Sequence, residues 1–501
     1  MAARARPAPG GPRIEADVAV VGAGAAGLHV ALSAAHAGAR VALVSATSLA
    51  DTASYWAQGG LAAALGSDDA PDLHLADTER AGRGLMRPSA ARVLVDEAPT
   101  QVRELEQLGV RFDADRLGRL TLGLEGGHSR RRVVHAGGSA TGRRVMRQLS
   151  ALAAEEPGIE VIENARASAL LVDDGRCVGV GCEDGRLISA AGLVICTGGA
   201  AALWARTTNP PGALGIGLLL AHRAGADLAD LEFVQFHPTA VIGVPGREGF
   251  CVTEAIRGEG AVLVDADGER FVDELAPRDE VARAIYLRLA ETGARSVALD
   301  MREIDPALFP NVVGALTEAG IDPSRETIPV APAAHYVMGG IVTDLDGRST
   351  LPGLYAVGEA ACTGLHGANR LASNSLSECF VFGARAAAAA LGEPPVPPGR
   401  RWPARPGGGA GPEALGEIPP VAPETRTAIW EHAGLARERT GLELLARDPH
   451  PLARLVAGCA LFRAESRGAH VRDDHPDRDA GLDRRHTVVD RDGKTRMERW
   501  N

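Results

Sequence analysis

The sequence predicts an α/β protein with three parts: a nucleotide-binding domain with a parallel sheet, an α+β domain inserted into it, and a helical C-terminal domain. Three observations support this prediction. Asp17–Ser45 reads as strand, glycine-rich turn, helix and strand in one span. From about Leu231 to residue 340 the sequence has fewer long helices, several charged turns and most of the conspicuous His and Arg motifs. An apolar strand at Gly353–Ala360 then returns to the pattern of the first part. A Pro/Gly-rich stretch, Gly392–Glu424, separates the C-terminal part.

The length and charge of the chain limit how many domains and which partners it can have. A chain of 501 residues exceeds what one hydrophobic core usually serves, so two or three domains are expected. The formal net charge of -11 argues against a general nucleic-acid partner, and an acidic substrate would need a local cationic pocket. We place the domain boundaries at residues 14–230 and 341–392 for the first domain, 231–340 for the insertion, 393–424 for the linker and 425–501 for the C-terminal domain.

The sequence also indicates a compartment. The cysteines are scattered and several lie in apolar segments, which favours buried reduced thiols over a disulfide framework or a metal site. The basic N-terminus lacks the apolar core of a signal peptide. The longest uncharged run, Leu187–Ala205, is broken by Cys-Thr-Gly-Gly and would make a poor membrane span. We therefore expect a soluble cytoplasmic protein.

The glycine-rich turn carries the first functional prediction. Gly22 allows a tight turn, Gly24 lets the backbone approach a pyrophosphate, and Gly27 packs the helix against the strand. A glycine-rich turn without a ligand is the alternative, but the flanking strands and helix are the context that this motif requires. The predicted binding residues here are Gly22, Ala23, Gly24, Ala25, Ala26 and Gly27.

The residues after the second strand indicate which dinucleotide binds. An NAD site would place a carboxylate about twenty residues beyond the glycines, whereas this strand ends in Ser45-Ala46-Thr47. The polar loop Ala53–Gly60 is of the kind that can lie against a flavin, and the strand at Gly192–Ala200 ends in Thr-Gly-Gly. FAD is therefore favoured over NAD. Further predicted contacts are Ser45, Ser54, Gln58, Gly59, Gly60, Thr197, Gly198 and Gly199.

Most other segments read as scaffold. Helical periodicity covers Asp72–Gly109 and Ala140–Leu152, and Glu160–Ala190 alternates as a β-meander. A clear helix at Ser375–Leu391 begins in residues that favour helix caps. In the C-terminal part we predict helices at Ile429–Leu445 and Pro451–Ser466, followed by a charged, exposed end.

Polar and cationic groups recur in segments that are far apart in the sequence. Two imidazoles and an arginine can grip a dicarboxylate, because arginine offers a planar fork and histidine can donate a hydrogen bond. Taken singly, each such residue is more often structural. The same holds for Glu125 in the arginine-rich loop Arg119–Arg132, which reads equally well as a solvated surface loop. The segments are Phe236–Thr239, Thr253–Gly258, Ala276–Asp279, Ala334–Tyr336 and Gly367–Arg370.

Taken together, these motifs resemble a known family. The resemblance is to the succinate dehydrogenase/fumarate reductase flavoprotein superfamily and covers about Asp17 to Pro476. It implies a Rossmann-like FAD-binding domain with an inserted α+β capping domain and a C-terminal helical bundle, and an active site between the first two. The motifs that carry it, in chain order, are AGAAG, WAQGG, EGGHS, QFHPT, TEAIRGEGA, LAPRD, AAHYVMGG, GLYAVGEA, TGLHGANRLASNSL and ESRGAH.

The resemblance implies a role for each matching residue. It assigns the substrate carboxylates to His237, His335 and Arg370, with help from the hydroxyl of Thr253. It makes Arg278 the proton-transfer group, with a relay through Glu254 and Arg257. Arginine hardly deprotonates, so the chemistry of the residue alone also allows Arg278 to act as an electrostatic clamp. The matching FAD contacts are Glu359, Ser375 and Leu376.

Two positions distinguish branches of the family. Relatives that join FAD covalently carry a histidine where this chain has Ala53, so non-covalent FAD is expected. Glu125 matches a carboxylate that reads the α-ammonium of an amino acid, and succinate offers no such charge. The resemblance therefore implies oxidation of L-aspartate to iminoaspartate, with hydride transfer to flavin N5 and reoxidation by O2 or fumarate. The imine would enter quinolinate synthesis for NAD, with quinolinate synthase as a possible pathway partner.

Two alternatives and two departures accompany this interpretation. The chain could be a soluble fumarate reductase or succinate-oxidising flavoprotein, or a non-catalytic flavin-binding protein such as a redox sensor. The complete grip of His237, His335, Arg278 and Arg370 argues against the last. Ala46 stands where relatives commonly have Lys, and Ile216 where many have Asp. Both departures concern the affinity for FAD more than the reaction type.

Overall fold

The computed structural model describes residues 12–49, 52–396 and 418–501, so most of the predicted linker lies outside the described residues. The α-helices are α1 (Ala25–His36), α2 (Pro71–Ala81), α3 (Pro88–Gln107), α4 (Thr141–Glu155), α5 (Ile216–Ala224), α6 (Glu254–Gly258), α7 (Arg278–Thr292), α8 (Pro310–Glu318), α9 (Asn374–Leu391), α10 (Pro423–His432), α11 (Arg439–Leu445) and α12 (Pro451–Phe462). The strands are β1 (Arg13–Val21), β2 (Val41–Val44), β3 (Leu61–Ala62), β4 (Leu122–Gly123), β5 (Val133–Val134), β6 (Ile159–Ile162), β7 (Ala167–Asp173), β8 (Arg176–Cys182), β9 (Leu187–Ile195), β10 (Leu228–Ala229), β11 (Val234–Val241), β12 (Val262–Val264), β13 (Val297–Asp300), β14 (Ile328–Val337), β15 (Gly340–Val342), β16 (Leu354–Ala356), β17 (Ala361–Cys362), β18 (Arg485–Val489) and β19 (Thr495–Arg499).

The main sheet has the order β6-β2-β1-β9-β8-β7, and β16 pairs with β9. β1 runs parallel to β2 and β9, while β7 and β8 form an antiparallel meander. The apolar end of β1, Val18–Val21, is buried, as expected of a central parallel strand that is covered on both faces. The predicted strand-turn-helix-strand unit, the meander and the return of the chain at β16 are all confirmed.

A second sheet lies within residues 231–340, the segment that the sequence assigns to the inserted domain. It is antiparallel with the order β11-β14-β13-β12. Helices α7 and α8 each bury one apolar face in the core of this domain, which includes Leu299 of β13. The buried residues are Val281 and Ile285 on α7, and Val312 and Leu316 on α8. The first residue of α7 is Arg278, so this packing fixes where the start of that helix lies.

The C-terminal part differs from its prediction in two respects. The periodic stretch at Ile429–Leu445 forms two helices, α10 and α11, rather than one. The end of the chain was predicted to be exposed, and this is wrong for β18, where His486, Thr487 and Val488 are buried. β18 and β19 form a hairpin that joins the sheet β17-β15-β10-β18-β19, because the β-branched run of β18 pairs with β10.

Two further expectations concern the thiols and the membrane. Every cysteine in the described ranges is unpaired, and most are buried, as predicted. None of the helices described for this chain combines the length and the apolar content that a transmembrane span requires.

The loop before β5 is anchored by a buried ion cluster rather than solvated. Arg132 is inaccessible to solvent, and its guanidinium donates to Asp69 at 2.8 and 2.9 Å and to Asp77 at 2.5 Å. Asp77 lies on α2 and also accepts hydrogen bonds from the amide and hydroxyl of Ser129. The cluster therefore ties the loop that carries Glu125 to helix α2.

Replacement of Arg132 by Met should lower the free energy of unfolding by about 3–5 kcal/mol, because two buried carboxylates lose their counter-charge. The matched control is Arg131→Met, since Arg131 is largely exposed and its ion pair with the exposed Glu259 is long, at 4.0 Å. Denaturant unfolding followed by fluorescence compares the two variants. Equal midpoints for Arg132→Met and Arg131→Met would contradict the structural role of the cluster.

Candidate active site

The glycine-rich turn has the geometry of a dinucleotide site. Gly22 has φ +106, and a Cβ on it would lie 2.3 Å from the carbonyl oxygen of Cys196. A Cβ on Gly27 would lie 1.8 Å from the carbonyl oxygen of Gly22. Helix α1 starts after Gly24 without a side-chain cap, so the positive end of its dipole faces the turn. Only glycines permit this approach of helix, turn and strand, and the resulting helix N-terminus suits a phosphate.

The surrounding residues fit a flavin dinucleotide. Ser45 is buried at the end of β2, where NAD-binding chains would place a carboxylate. Thr197 Oγ1 and Gln58 Oε1 are buried without a hydrogen-bond partner, so each can serve a polar ligand. Gly198 has φ +74, and a Cβ there would meet nothing within 4 Å. Two unpartnered polar side-chain atoms and an uncrowded glycine thus fit the expected FAD site, and the individual FAD contacts from Gly22 to Gly199 stay predictions.

The other predicted FAD contacts, Ser54, Glu359, Ser375 and Leu376, each have a defined place in the structure. Ser54 Oγ accepts the Ala25 amide hydrogen at 3.1 Å, so Ser54 fixes the start of α1. Glu359 accepts from the Val337 amide at 3.0 Å, and burial raises the pKa of this carboxyl to about 7. Ser375 Oγ lies 2.5 Å from Arg370 Nη1, so the hydroxyl also supports the substrate grip. Leu376 packs against the core under α1 and β1.

Two arginines meet on one amide oxygen. Arg278 Nη1 donates to Gln235 Oε1 at 3.1 Å, and Arg370 donates to the same atom through Nε at 3.2 Å and Nη2 at 3.0 Å. The amide nitrogen of Gln235 in turn donates to the Arg370 carbonyl and to Asn369 Oδ1. Sequence analysis missed Gln235. The signal was its place two residues before His237 on strand β11, because alternate residues of a strand share a face.

Both arginines stay cationic. Burial by itself would lower the pKa of Arg278, but the Glu254 and Glu125 carboxylates outweigh it and raise the pKa. Burial and the charge of Arg278 lower the pKa of Arg370 to about 10, which is still far above neutrality. Although its net charge is negative, this protein therefore holds two buried cationic side chains close together, as binding of a dicarboxylate requires.

The two predicted histidines lie together and are neutral. The ring centroids of His237 and His335 are 5.0 Å apart. Burial, followed by the charges of Arg278 and Arg370 respectively, holds the pKa of each well below its usual value. The Nδ1 atom of His237 accepts the Thr239 amide hydrogen at 3.3 Å, which leaves the proton on Nε2. Each neutral ring can donate one hydrogen bond to a carboxylate.

The predicted relay residues are contiguous. Arg278 Nε donates to Glu254 Oε2 at 2.5 Å, and Arg257 Nη2 lies 3.5 Å from Glu254 Oε1. Glu254 and Arg257 share one face of the short helix α6 because they are three residues apart. Thr253 precedes this helix and makes no side-chain capping bond, so its hydroxyl is not committed to the helix end. The structure thus brings the predicted residues together, and their roles stay predictions.

Glu125 is a buried anion and not part of a solvated loop. Its Oε2 accepts from Ser373 Oγ at 2.7 Å, whereas Oε1 has no hydrogen-bond partner. Burial would raise the pKa of Glu125, but the neighbouring His135, with Ser373 and Arg278, lowers it to about 2. Of the loop's arginines, Arg131 faces Glu259 instead. The site therefore presents a carboxylate oxygen of Glu125 that has no hydrogen-bond partner near the positive charge of Arg278.

Ser373 links the Glu125 carboxylate to the loop Ala53–Gly60, which is predicted to lie against the flavin and is called the flavin loop below. The sequence predicts a capping role for Ser373, and it does occupy the N-cap of α9, but its side chain makes no capping bond. Its backbone has φ +61, a strained conformation for a non-glycine residue. The hydroxyl instead accepts the Gly60 amide hydrogen at 3.1 Å and donates to Glu125. One side chain thus positions both the flavin loop and the free anion.

Comparison with known proteins agrees with this geometry. The family described as FAD binding domain matches residues 17–376, and the fumarate reductase flavoprotein C-terminal family matches residues 446–500. The structure of an E. coli quinol fumarate reductase mutant is 30% identical, has a TM-score of 0.84, and covers 97% of this chain and 96% of its own. The chain is therefore a flavoprotein of the succinate dehydrogenase/fumarate reductase superfamily.

Two curated relatives indicate which family within this superfamily the chain belongs to. L-aspartate oxidase of Streptomyces coelicolor is 44% identical over 96% of this chain and 92% of its own length. L-aspartate oxidase of Caulobacter vibrioides is 46% identical over 91% of this chain and 93% of its own. Within the superfamily, the chain belongs to the L-aspartate oxidase family.

The site generates a prediction about the cofactor. Ala53 begins the short 3-10 helix at the start of the flavin loop and offers only a methyl group, which cannot form a bond to the isoalloxazine ring. Acid precipitation of the holoenzyme should release its yellow flavin into the supernatant, while a succinate dehydrogenase with histidyl-linked flavin keeps its colour in the pellet. Flavin that stays with this protein's pellet would show a covalent bond elsewhere.

Proposed function

We propose that the protein oxidises L-aspartate to iminoaspartate and that O2 or fumarate reoxidises its FAD. One observation carries the choice of substrate. Glu125 keeps Oε1 free and its carboxyl ionised, within a site whose other charged groups are mainly cationic. A free buried anion beside two arginines matches a ligand that bears two carboxylates and one ammonium group.

The chain's own residues can hold the two carboxylates. Arg370 offers a guanidinium that is fixed by Gln235 and Ser375, and it lies 4.4 Å from the centroid of the Tyr336 ring. The neutral rings of His237 and His335 each supply one N–H donor. Because these groups are buried and already fixed, little side-chain entropy is lost when the substrate binds.

The reaction needs an electron acceptor, which bound FAD supplies by taking the Cα hydride. Arg278 is held by Glu254 and Gln235, so its charge is fixed in place before the substrate arrives. The guanidinium stays protonated at neutral pH, so in aspartate oxidation it acts as an electrostatic clamp on the substrate. In fumarate reduction, which needs a proton at carbon, the resemblance makes Arg278 the donor, and Glu254, which contacts both Arg278 and Arg257, would return the proton to it.

A soluble fumarate reductase is the second candidate, because the same arginines and histidines would bind fumarate. Glu125 disfavours it, since an ionised carboxylate would repel a ligand that has no positive group. The cellular setting is part of the proposal and rests on the relatives and on composition. It places the enzyme in the cytoplasm, where its imine product would pass to quinolinate synthase in the first step of NAD synthesis from aspartate.

The substitution Glu125→Gln tests the proposed function. The change removes a charge-assisted contact of roughly 1.5–3 kcal/mol to the substrate ammonium. The ratio of kcat/KM for L-aspartate to that for fumarate reduction should therefore fall about ten- to a hundredfold. Both reactions are measured on the same preparation, and Glu259→Gln is the control on the exposed partner of Arg131.

Two results would contradict the proposal in different ways. If anaerobic L-aspartate failed to bleach the flavin of the wild-type enzyme while succinate did so, the second candidate would replace the first. If the wild-type enzyme oxidised aspartate but Glu125→Gln left the ratio unchanged, Glu125 would not read the amino group.

The substitution Arg278→Lys should reduce kcat about 10²–10³-fold and change KM much less, because a point-charge ammonium cannot bond Glu254 and Gln235 and still clamp the substrate. Steady-state kinetics with L-aspartate measure the split. Arg283→Lys is the matched control, since Arg283 is an exposed residue on the same helix α7. Wild-type turnover in Arg278→Lys would remove the residue from the mechanism.

A further inference from the structure

Oxidation of an amino acid requires a proton acceptor that the roles assigned so far do not provide. Aspartate enters the site as an ammonium ion, and the C=N bond of the imine forms from the nitrogen lone pair. One N–H proton must therefore leave the nitrogen before or with the hydride. Arg278 stays protonated, and a carboxylate such as Glu125 is by itself too weak a base to keep a proton at neutral pH.

His135 lies where such an acceptor is needed. It follows strand β5, and its Nε2 is 3.5 Å from Glu125 Oε1. Both atoms are buried, and neither has a hydrogen-bond partner, whereas most buried polar groups in proteins find one. The gap between the two atoms is longer than a hydrogen bond, so the pair is adjacent without being satisfied. A ligand N–H placed at Oε1 would meet both groups.

The imidazole also connects the buried carboxylate with the surface. The side chain of His135 is 15% exposed, whereas that of Glu125 is 1% exposed. Gly123 on β4 makes room for the ring, because a Cβ there would lie 2.7 Å from His135 Cε1. Asp113 does not compete for the ring, since its carboxylate is held by the amides of Gly137 and Gly138.

We propose that His135 accepts the proton that the substrate's amino group must lose, and that Glu125 passes this proton to it. The inference rests on the proposed function and completes it. The N–H bond breaks and its proton moves by way of Glu125 Oε1 to His135 Nε2. The lone pair left on nitrogen forms the C=N bond while the Cα–H bond breaks, and FAD, when bound, would take the electron pair of that bond as the two-electron acceptor. Aspartate is oxidised by two electrons, the flavin is reduced, and His135 returns its proton to solvent.

The proposal makes His135 necessary for one reaction of the enzyme and dispensable for the other. Fumarate carries no ammonium group, so its reduction needs no acceptor at Glu125. A residue that only supported the fold would affect both reactions together. The ratio of the two activities therefore separates proton transfer from a structural role.

The test uses the holoenzyme with His135→Ala and His135→Gln. We expect kcat for L-aspartate to fall about a hundredfold or more in both variants, because general bases contribute about 10²–10⁴ in rate. Fumarate reduction should stay near the wild-type value, as should the dissociation constant of succinate measured from the flavin absorbance. Added imidazole should restore part of the aspartate oxidation in His135→Ala, since the site opens to solvent at this position, and should leave fumarate reduction unchanged. His36→Ala is the control, because His36 is an exposed histidine.

Each other outcome has a defined meaning. Wild-type aspartate turnover in either variant, or an equal loss of both activities in a folded variant that retains FAD, would overturn the role of His135. If His135→Ala failed to retain flavin, His135→Gln would supply the same comparison with a side chain closer in volume. A wild-type enzyme that does not oxidise aspartate would instead refute the proposed function, so the two failures are distinguishable.

Discussion

The site depends on holding two buried guanidinium groups side by side. Arg278 and Arg370 both bond one neutral oxygen, Gln235 Oε1, which accepts from each without cancelling either charge. Such a pair is costly in a low-dielectric interior unless anions or a ligand offset it. Glu254 offsets Arg278 directly, and Arg370 instead lies over the face of Tyr336. The remaining positive charge is what the carboxylates of a substrate would neutralise.

The other protonation states of the site follow from this pair. The positive field, added to burial, keeps His237 and His335 neutral, so they donate hydrogen bonds rather than adding charge. The same field helps to keep Glu125 ionised. A dicarboxylate with one ammonium group thus finds an opposite charge for each of its own. In the function proposed above, Glu125 would select the amino acid and His135 would take up its proton, and Ser373 bonds both Glu125 and the amide of Gly60.

Distant parts of the chain support the start of α7. The guanidinium of Arg83 donates to Asp279, the residue after Arg278, at 2.9 and 3.1 Å. The carbonyl of Arg83 accepts from Arg467 at 2.7 Å, and Arg467 is held in turn by Glu465 in the C-terminal part. The C-terminal segment therefore contributes to the site indirectly. Arg467 holds the backbone of Arg83, and the side chain of Arg83 holds the start of α7. This explains why a motif as late in the chain as ESRGAH accompanies the others.

Local patterns were sufficient for much of the fold and for the charged members of the site. The nucleotide-binding unit could be predicted because its turn, helix and strands are adjacent in the sequence and each follows from steric or periodic rules. The roles predicted for Glu125 and Arg278 came from the resemblance, since the residues taken singly left a solvated loop as an equal alternative for Glu125 and favoured a structural role for Arg278. The charged end of the chain is predicted to be exposed because nothing local indicates that β18 pairs with β10, where Val489 lies opposite Leu228.

The sequence by itself determined the class of cofactor and the set of arginines and histidines proposed to bind a dicarboxylate. Only the tertiary structure decided how these groups are charged and which polar residues control them. Gln235 looks like any strand glutamine, Ser373 like a helix cap, and His135 like the end of a short strand. Their functions arise from neighbours that are distant in sequence, such as Glu125 for Ser373 and Arg370 for Gln235. Burial and charge at such contacts are properties of the assembled site, so no local pattern can report them.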